Sequence, residues 1–231
     1  MTDYTPVTSL PESYTLREAS NILDRAKMIA APKLPGCTLR RFDYPIFNGW
    51  SHIELCFADR GPLVPKLIIS PDGYYCVSSA VFGYSSMLRE EMNVGAEFIR
   101  SYMGGLERLD AGPDAIAAKV LELIKTFDLP AAVAAGTPER IWTDQPRGHI
   151  APQLLELSLC GIYLGHYEEA HALLRDCIRF ATLYDQPGFA AAGQKADAYM
   201  AKLSADPEAL RGTLVATMEN HWSHFKVTEF R

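Results

Sequence analysis

A chain of 231 residues, 48% of them hydrophobic, holds enough apolar material for one large or two small domains and is too apolar to be disordered. Its formal net charge of −6 is spread along the chain, so it lacks the basic stripe with which a nucleic-acid binder replaces phosphate counterions. No stretch approaches the ~20 apolar residues of a membrane-spanning helix, and no Lys/Arg-rich amphipathic helix offers a membrane-surface contact.

The first residues, Met1 to Glu12, are polar and carry no apolar run of signal-peptide length, so a cytoplasmic location is expected. The five cysteines, Cys37, Cys56, Cys76, Cys160 and Cys177, are odd in number and widely spaced, which fits reduced thiols. Thr15-Leu16-Arg17-Glu18 has the form of a capping box, and Leu16, Ala19, Leu23 and Ala26 recur at helical spacing behind it. Pro32 and Pro35-Gly36 end that helix.

Strand formers dominate from Thr38 to Phe47, and Asn48-Gly49 is a two-residue hairpin signal. Ile53, Leu55 and Phe57 alternate with His52, Glu54 and Cys56 on the return strand. Arg60-Gly61-Pro62 and Ser70-Pro71-Asp72-Gly73 are turns on either side of a third strand, Val64 to Ile69, and Tyr74 to Val77 begins a fourth. Connections this short demand antiparallel neighbours, so a four-stranded meander is expected.

From about Ser85 the spacing of Leu88, Met92, Phe98, Ile99, Tyr102 and Leu106 predicts a helix, with Gly95 the place for a break in it. Gly112-Pro113 opens another, with Ile116, Val120, Leu123, Ile124 and Phe127 inward. The Pro/Gly-punctuated stretch from Leu129 to Gly148 reads as a linker containing a short turn of helix at Thr137-Pro138. Ile150 to Leu164 is apolar nearly all round and predicts a buried central helix. Tyr167, Ala170, Leu173, Leu174, Cys177, Ile178, Ala181 and Tyr184 form the stripe of the next helix. Pro187 begins a third C-terminal helix, and Asp206-Pro207 caps a fourth. The expected architecture is α+β: residues 1–128 as a helix on the meander, 129–149 as the linker, and 150–231 as an all-helical bundle able to pack with the first part as one body.

Ala151 to Tyr184 resembles a single tetratricopeptide repeat. Leu154, Leu157 and Ser158 stand where that family's first helix places large, large and small residues, and Gly165-His166-Tyr167-Glu168-Glu169-Ala170 matches its turn. Gly161 replaces an expected aromatic, and the closing proline comes late, at Pro187. The resemblance occurs once, short of the ~3 stacked copies that make a solenoid, and implies a protein-interaction role.

Motifs for chemistry are incomplete. Gly188 to Lys195 approaches a phosphate loop, but Gln194 intervenes and Ala196 stands where the Mg²⁺-binding hydroxyl belongs. His221 and His224 lie three apart, too few for zinc without further ligands, and His166 and His171 are badly spaced for one ion. His52 and Cys56 are separated by four strand residues, ~13 Å, beyond the reach of a catalytic dyad. Ser78-Ser79 and Ser85-Ser86 lack a nucleophile elbow, and Glu90-Glu91 are neighbours that point apart on a helix.

These observations favour a non-enzymatic protein-binding protein: an adaptor, a chaperone or a toxin-neutralising immunity protein, without a cofactor and with a partner that presents a basic surface. The candidate contacts are Trp50, His52, Glu54, Tyr74, Glu168 and Glu169. The alternative is an enzyme or small-ligand binder whose site is assembled from distant residues.

Overall fold

The computed structural model describes residues 14–44, 50–57, 61–71, 77–89, 98–144, 148, 150–184, 187–223 and 227–228. Helix α1, Leu16–Ala30, begins at the capping box: the Glu18 amide donates to Thr15 Oγ1 at 3.3 Å, and the Thr15 amide donates to Glu18 Oε2 at 2.9 Å. Its buried stripe sets Leu23 among the small residues Ala19, Ala26 and Ala30, which let the helix lie close to its neighbours. A 3₁₀ turn at Ala31–Lys33, with Pro32 inside it, ends the element.

Five strands follow: β1 Thr38–Tyr44, β2 Trp50–Cys56, β3 Leu63–Pro71, β4 Val77–Ser86 and β5 Phe98–Arg108. They form an antiparallel meander, extended beyond β1 by the two-residue β6, Val227–Thr228. The sheet order is β5-β4-β3-β2-β1-β6. The expectation of four strands and a helix running to Leu106 is therefore corrected. Phe98, Tyr102 and Leu106 are four apart, a spacing shared by one helix face and one strand face, because four is also a multiple of two. The β-branched and aromatic Phe98, Ile99 and Tyr102 favour strand, and Gly104-Gly105 disfavours a continuous helix, Gly104 standing at φ +142°. The Asn48-Gly49 turn lies outside the described residues, but Tyr44 pairs with Trp50 across it.

Helix α2, Gly112–Thr126, packs on α1 and β5. Gly104, at φ +142°, lies below Leu123 of α2, where an added Cβ would be 3.6 Å from Leu123 Cδ2. Phe82 on β4 sits at the centre of the sheet's aromatic core, 6.3 Å from Phe57, 5.6 Å from Tyr84 and 5.3 Å from Phe127 between ring centroids.

Residues 129–144 carry two short helices, α3 Leu129–Ala134 and α4 Pro138–Asp144, with Leu129, Pro138 and Ile141 buried. Then come α5 Ala151–Leu164, α6 Tyr167–Ala181, α7 Pro187–Ala205 and α8 Pro207–Ser223. The α5–α6 turn closes on Gly165 at φ +87°: the His166 amide donates to Gly161 O at 2.8 Å and the Gly165 amide to Ile162 O at 3.1 Å. Cys177 ties three helices together, its thiol donating to Ala151 O at 3.1 Å and lying 3.7 Å from Ala192 O.

The sheet and the bundle share one core. The Tyr84 hydroxyl donates to Ala132 O, Trp222 Nε1 to Gly61 O at 2.8 Å, and His221 Nδ1 to Met87 O at 3.1 Å. Glu156 is a fully buried charge within the apolar α5, and Arg89, just beyond β4, meets it at 2.7 Å between Nε and Oε1. A buried carboxylate of this kind is tolerated only with such a partner.

Candidate functional site

The six expected contact residues do not form one surface among the described residues. Trp50 and His52 occupy β2 opposite Tyr44 and Phe42, with their side chains outside what is described, and Tyr74 lies outside the described residues altogether. Glu54, expected at a contact surface, is instead interior, at 2% exposure. Its Oε1 accepts from Lys66 Nζ at 2.8 Å, and Arg40, directly opposite it on β1, is buried as well. Glu168 and Glu169 are exposed in the first turn of α6, where the positive end of the helix dipole favours carboxylates.

The interior charges lie beside the pairing of β2 with β3. Among the described residues these strands are in register at Leu55↔Leu67 and Cys56↔Lys66, and the Phe57 amide donates to Pro65 O at 2.9 Å. Next to that pairing, Asp24 of α1 accepts the Ile53 amide at 3.2 Å, so a helix carboxylate provides the acceptor at this position. The same Asp24 oxygen lies 3.2 Å from Lys27 Nζ. Burial pulls the Lys27 ammonium below the usual lysine range, with Asp24 opposing that shift. The cluster is sealed: Lys27, Arg40, Glu54 and Lys66 are all buried, which suits a structural brace and denies a solute access.

Its cysteine neighbours are equally inert. Burial pushes the Cys37 thiol up to about 12, and raises Cys56 further still, with the Glu54 carboxylate adding to the effect. Cys160 is raised by burial and by Glu156, and Cys177 is raised to about 12 by burial. Among the described residues no group of three His, Cys, Asp or Glu side chains is placed to hold a metal ion. His221 is buried against Met87 O, and His224 lies outside the described residues. Gly188 to Lys195 lies within α7, where Gly193 packs on Ala181, so its amides belong to a helix.

A groove of ≈ 270 Å³ lies against α1, lined by Tyr14, Glu18, Asn21, Ile22, Arg25 and Pro113, and the helical bundle carries two further surface features. The first is an apolar end. Ile150, the residue before α5, is 45% exposed, and Leu183 and Tyr184, just past α6, are 64% and 48% exposed. Tyr184 rests on Phe189 of α7 at 5.0 Å between centroids. The sequence pattern placed Ile150 and Tyr184 inward. Helix α6 ends at Ala181, so Tyr184 leaves the helical register, and Ile150 stands outside α5 altogether.

The second is a groove of ≈ 360 Å³ lined by Tyr167, Glu168, His171 and Arg175 of α6, Leu203 of α7 and Pro207 of α8. One end is fixed by the Tyr167 hydroxyl, which donates to Glu208 Oε1 at 2.7 Å. On the wall, the Ser204 hydroxyl donates to Met200 O at 2.9 Å. That direction leaves Ser204 Oγ to accept from His171 Nε2 at 3.4 Å and leaves His171 Nδ1 to accept from Arg175 Nη2 at 3.4 Å. Of the expected contacts, only Glu168 lines this groove; the sequence marks Tyr167 and Pro207 as turn and cap residues, and no local pattern joins them, because α6, α7 and α8 meet there from separate stretches of chain.

No helix among the described residues is long and apolar enough to cross a membrane. Comparison of the chain with protein-family models, with curated proteins and with solved structures finds no match.

Proposed function

We propose that this chain is a non-enzymatic protein-binding protein acting in the cytoplasm, of adaptor, chaperone or toxin-neutralising immunity type, and that its partner presents a basic surface to the net acidic chain. The observation that carries this reading is the apolar end of the bundle, where Leu183 and Tyr184 are exposed just past α6, Tyr184 resting on Phe189, and Ile150 is exposed just before α5, whose first residue, Ala151, lies against Cys177 of α6. Single exposed apolar residues are ordinary, whereas adjacent exposed aliphatic and aromatic residues at the end of a helix pair suit an interface anchor. The α5–α6 pair beneath it is the segment that resembles a tetratricopeptide repeat, and its role here is to present that end rather than to stack with further copies.

Co-purification of the tagged full chain from its native cell tests the reading. A partner recovered at stoichiometric amount, with a basic contact surface, is the expected result; repeated recovery of the chain alone would overturn it.

A further inference from the structure

We propose that the groove along α6 receives one amphipathic helix of the partner, carrying a basic side chain over Glu168, an acidic side chain over Arg175 and apolar side chains between them. The proposal rests on the protein-binding reading above and names what one part of the surface would recognise.

Glu168 and Arg175 are seven residues apart on α6, two turns, which places them on the same face at ~10 Å along the axis. Both are exposed. Glu168 has no ion-pair partner among the described residues. Arg175 Nη2 lies 3.4 Å from His171 Nδ1, and Arg175 has no carboxylate partner among the described residues. The other charges at the groove are matched internally: Glu208 accepts from Tyr167 and faces Arg211 Nη1 at 3.9 Å, while Arg211 Nε donates to Tyr163 O at 2.9 Å.

Between the two ends Leu203 is buried, Pro207 and the Tyr167 ring are half-buried, and the half-buried His171 ring, 3.4 Å from both Arg175 Nη2 and Ser204 Oγ, lines the α6 side. The groove is thus a short, mostly apolar trough with a negative end and a positive end. Its complement is an elongated segment with the opposite polarity and the same two-turn spacing, which a helix supplies through residues seven apart. Like charges placed over either end would be repelled, so the groove also sets the direction in which the helix lies.

The test uses the full chain and a displayed library of 16-residue helix-forming peptides, selected in parallel against the wild type and against the E168K/R175E chain. Both substituted positions are exposed, so the fold is retained at a cost of about 0.3–1 kcal/mol for the carboxylate lost from the first turn of α6, and cooperative thermal unfolding verifies it. Wild-type selection is expected to enrich peptides with a basic and an acidic residue seven apart and Leu, Met or Phe between. The best of these is expected to lose at least tenfold in affinity against E168K/R175E and to regain it when its own two charges are exchanged. Absence of enrichment, or enriched peptides that bind both chains equally, would overturn the proposal. So would self-association of the wild type that the charge exchange abolishes, because the groove would then serve a second copy of this chain. A natural partner that E168K/R175E retains but a Leu183→Ser/Tyr184→Ser chain loses would sink the groove proposal while leaving the protein-binding reading intact.

Discussion

The Trp142 indole stacks on the His166 imidazole, with ring centroids 5.2 Å apart and planes within 4°. This stack brings α4 onto the α5–α6 turn and lays the indole over Gly161, where an added Cβ would be 2.5 Å from Trp142 Cζ3. The position at which the repeat-like pattern lacks its aromatic is thereby occupied by an aromatic from a preceding helix.

Gly161→Ala is expected to lower stability by about 1–2 kcal/mol, the overpacking cost less the helix propensity that alanine adds. In a Trp142→Ala background the cost is expected to fall to about zero, since the obstructing ring is gone and only the Ala170 Cβ, 3.2 Å from the added methyl, still opposes the gain in helix propensity. Urea unfolding of the four chains measures this; equal effects of Gly161→Ala in both backgrounds would show that the ring does not impose the glycine.

Much of the α-helical order was legible because local chemistry announces it. Thr15 to Glu18 form the capping box they spell, Gly165 closes the hairpin, and Asp206 Oδ1 accepts the Ala209 amide at 3.0 Å to start α8. Strand β5 was not legible, because four-residue spacing serves helix and strand alike. The interior position of Glu54 was hidden for a related reason: alternation gives the face a residue takes, but what covers that face depends on chain far away. The groove combines α6 with the α7–α8 turn, and pairing across 30 or more residues, as between Tyr167 and Glu208, leaves no local pattern.

Arg89→Ala is expected to cost about 3–5 kcal/mol by leaving the Glu156 carboxylate buried without that guanidinium. Replacing both together, as Arg89→Met/Glu156→Leu, restores most of the loss, because an apolar pair needs no compensation. Chemical denaturation midpoints distinguish these outcomes, and a double variant as weak as Arg89→Ala would contradict the account.

Asp24→Ala removes both the acceptor for the Ile53 amide and the partner of Lys27, and its cost is expected to shrink as pH rises. Burial lowers the folded-state pKa of Lys27 below its unfolded value near 10.5. In the window between the two, the unfolded chain binds more protons, so stability gains with rising pH. Losing Asp24 lowers the folded value further and widens that window downward. Unfolding of wild type and Asp24→Ala at pH 7 and pH 9 reads the difference; a gap that grows with pH would refute this placement of Lys27.

The buried thiols act in the opposite sense. Cys56 and Cys160 are fully buried with folded pKa values raised above their unfolded range, so the stability they contribute is present below ~8.5 and is lost as pH rises beyond it. Each contributes a slope of up to about 1.4 kcal/mol per pH unit once the unfolded chain ionises its thiols. Under reducing conditions, Cys160→Ala should therefore unfold with a shallower alkaline slope than wild type, and an unchanged slope would contradict the buried, neutral thiol.

The claim of a protein-binding surface at the end of the bundle is tested most directly by the Leu183→Ser/Tyr184→Ser chain, analysed with its co-purified partner by size-exclusion chromatography with light scattering. Both side chains are exposed, so the double substitution should change stability by less than about 1 kcal/mol. The account predicts a wild-type complex of defined mass and a double variant that elutes as the free chain at the same concentration. A complex of equal mass and stability formed by both chains would contradict it.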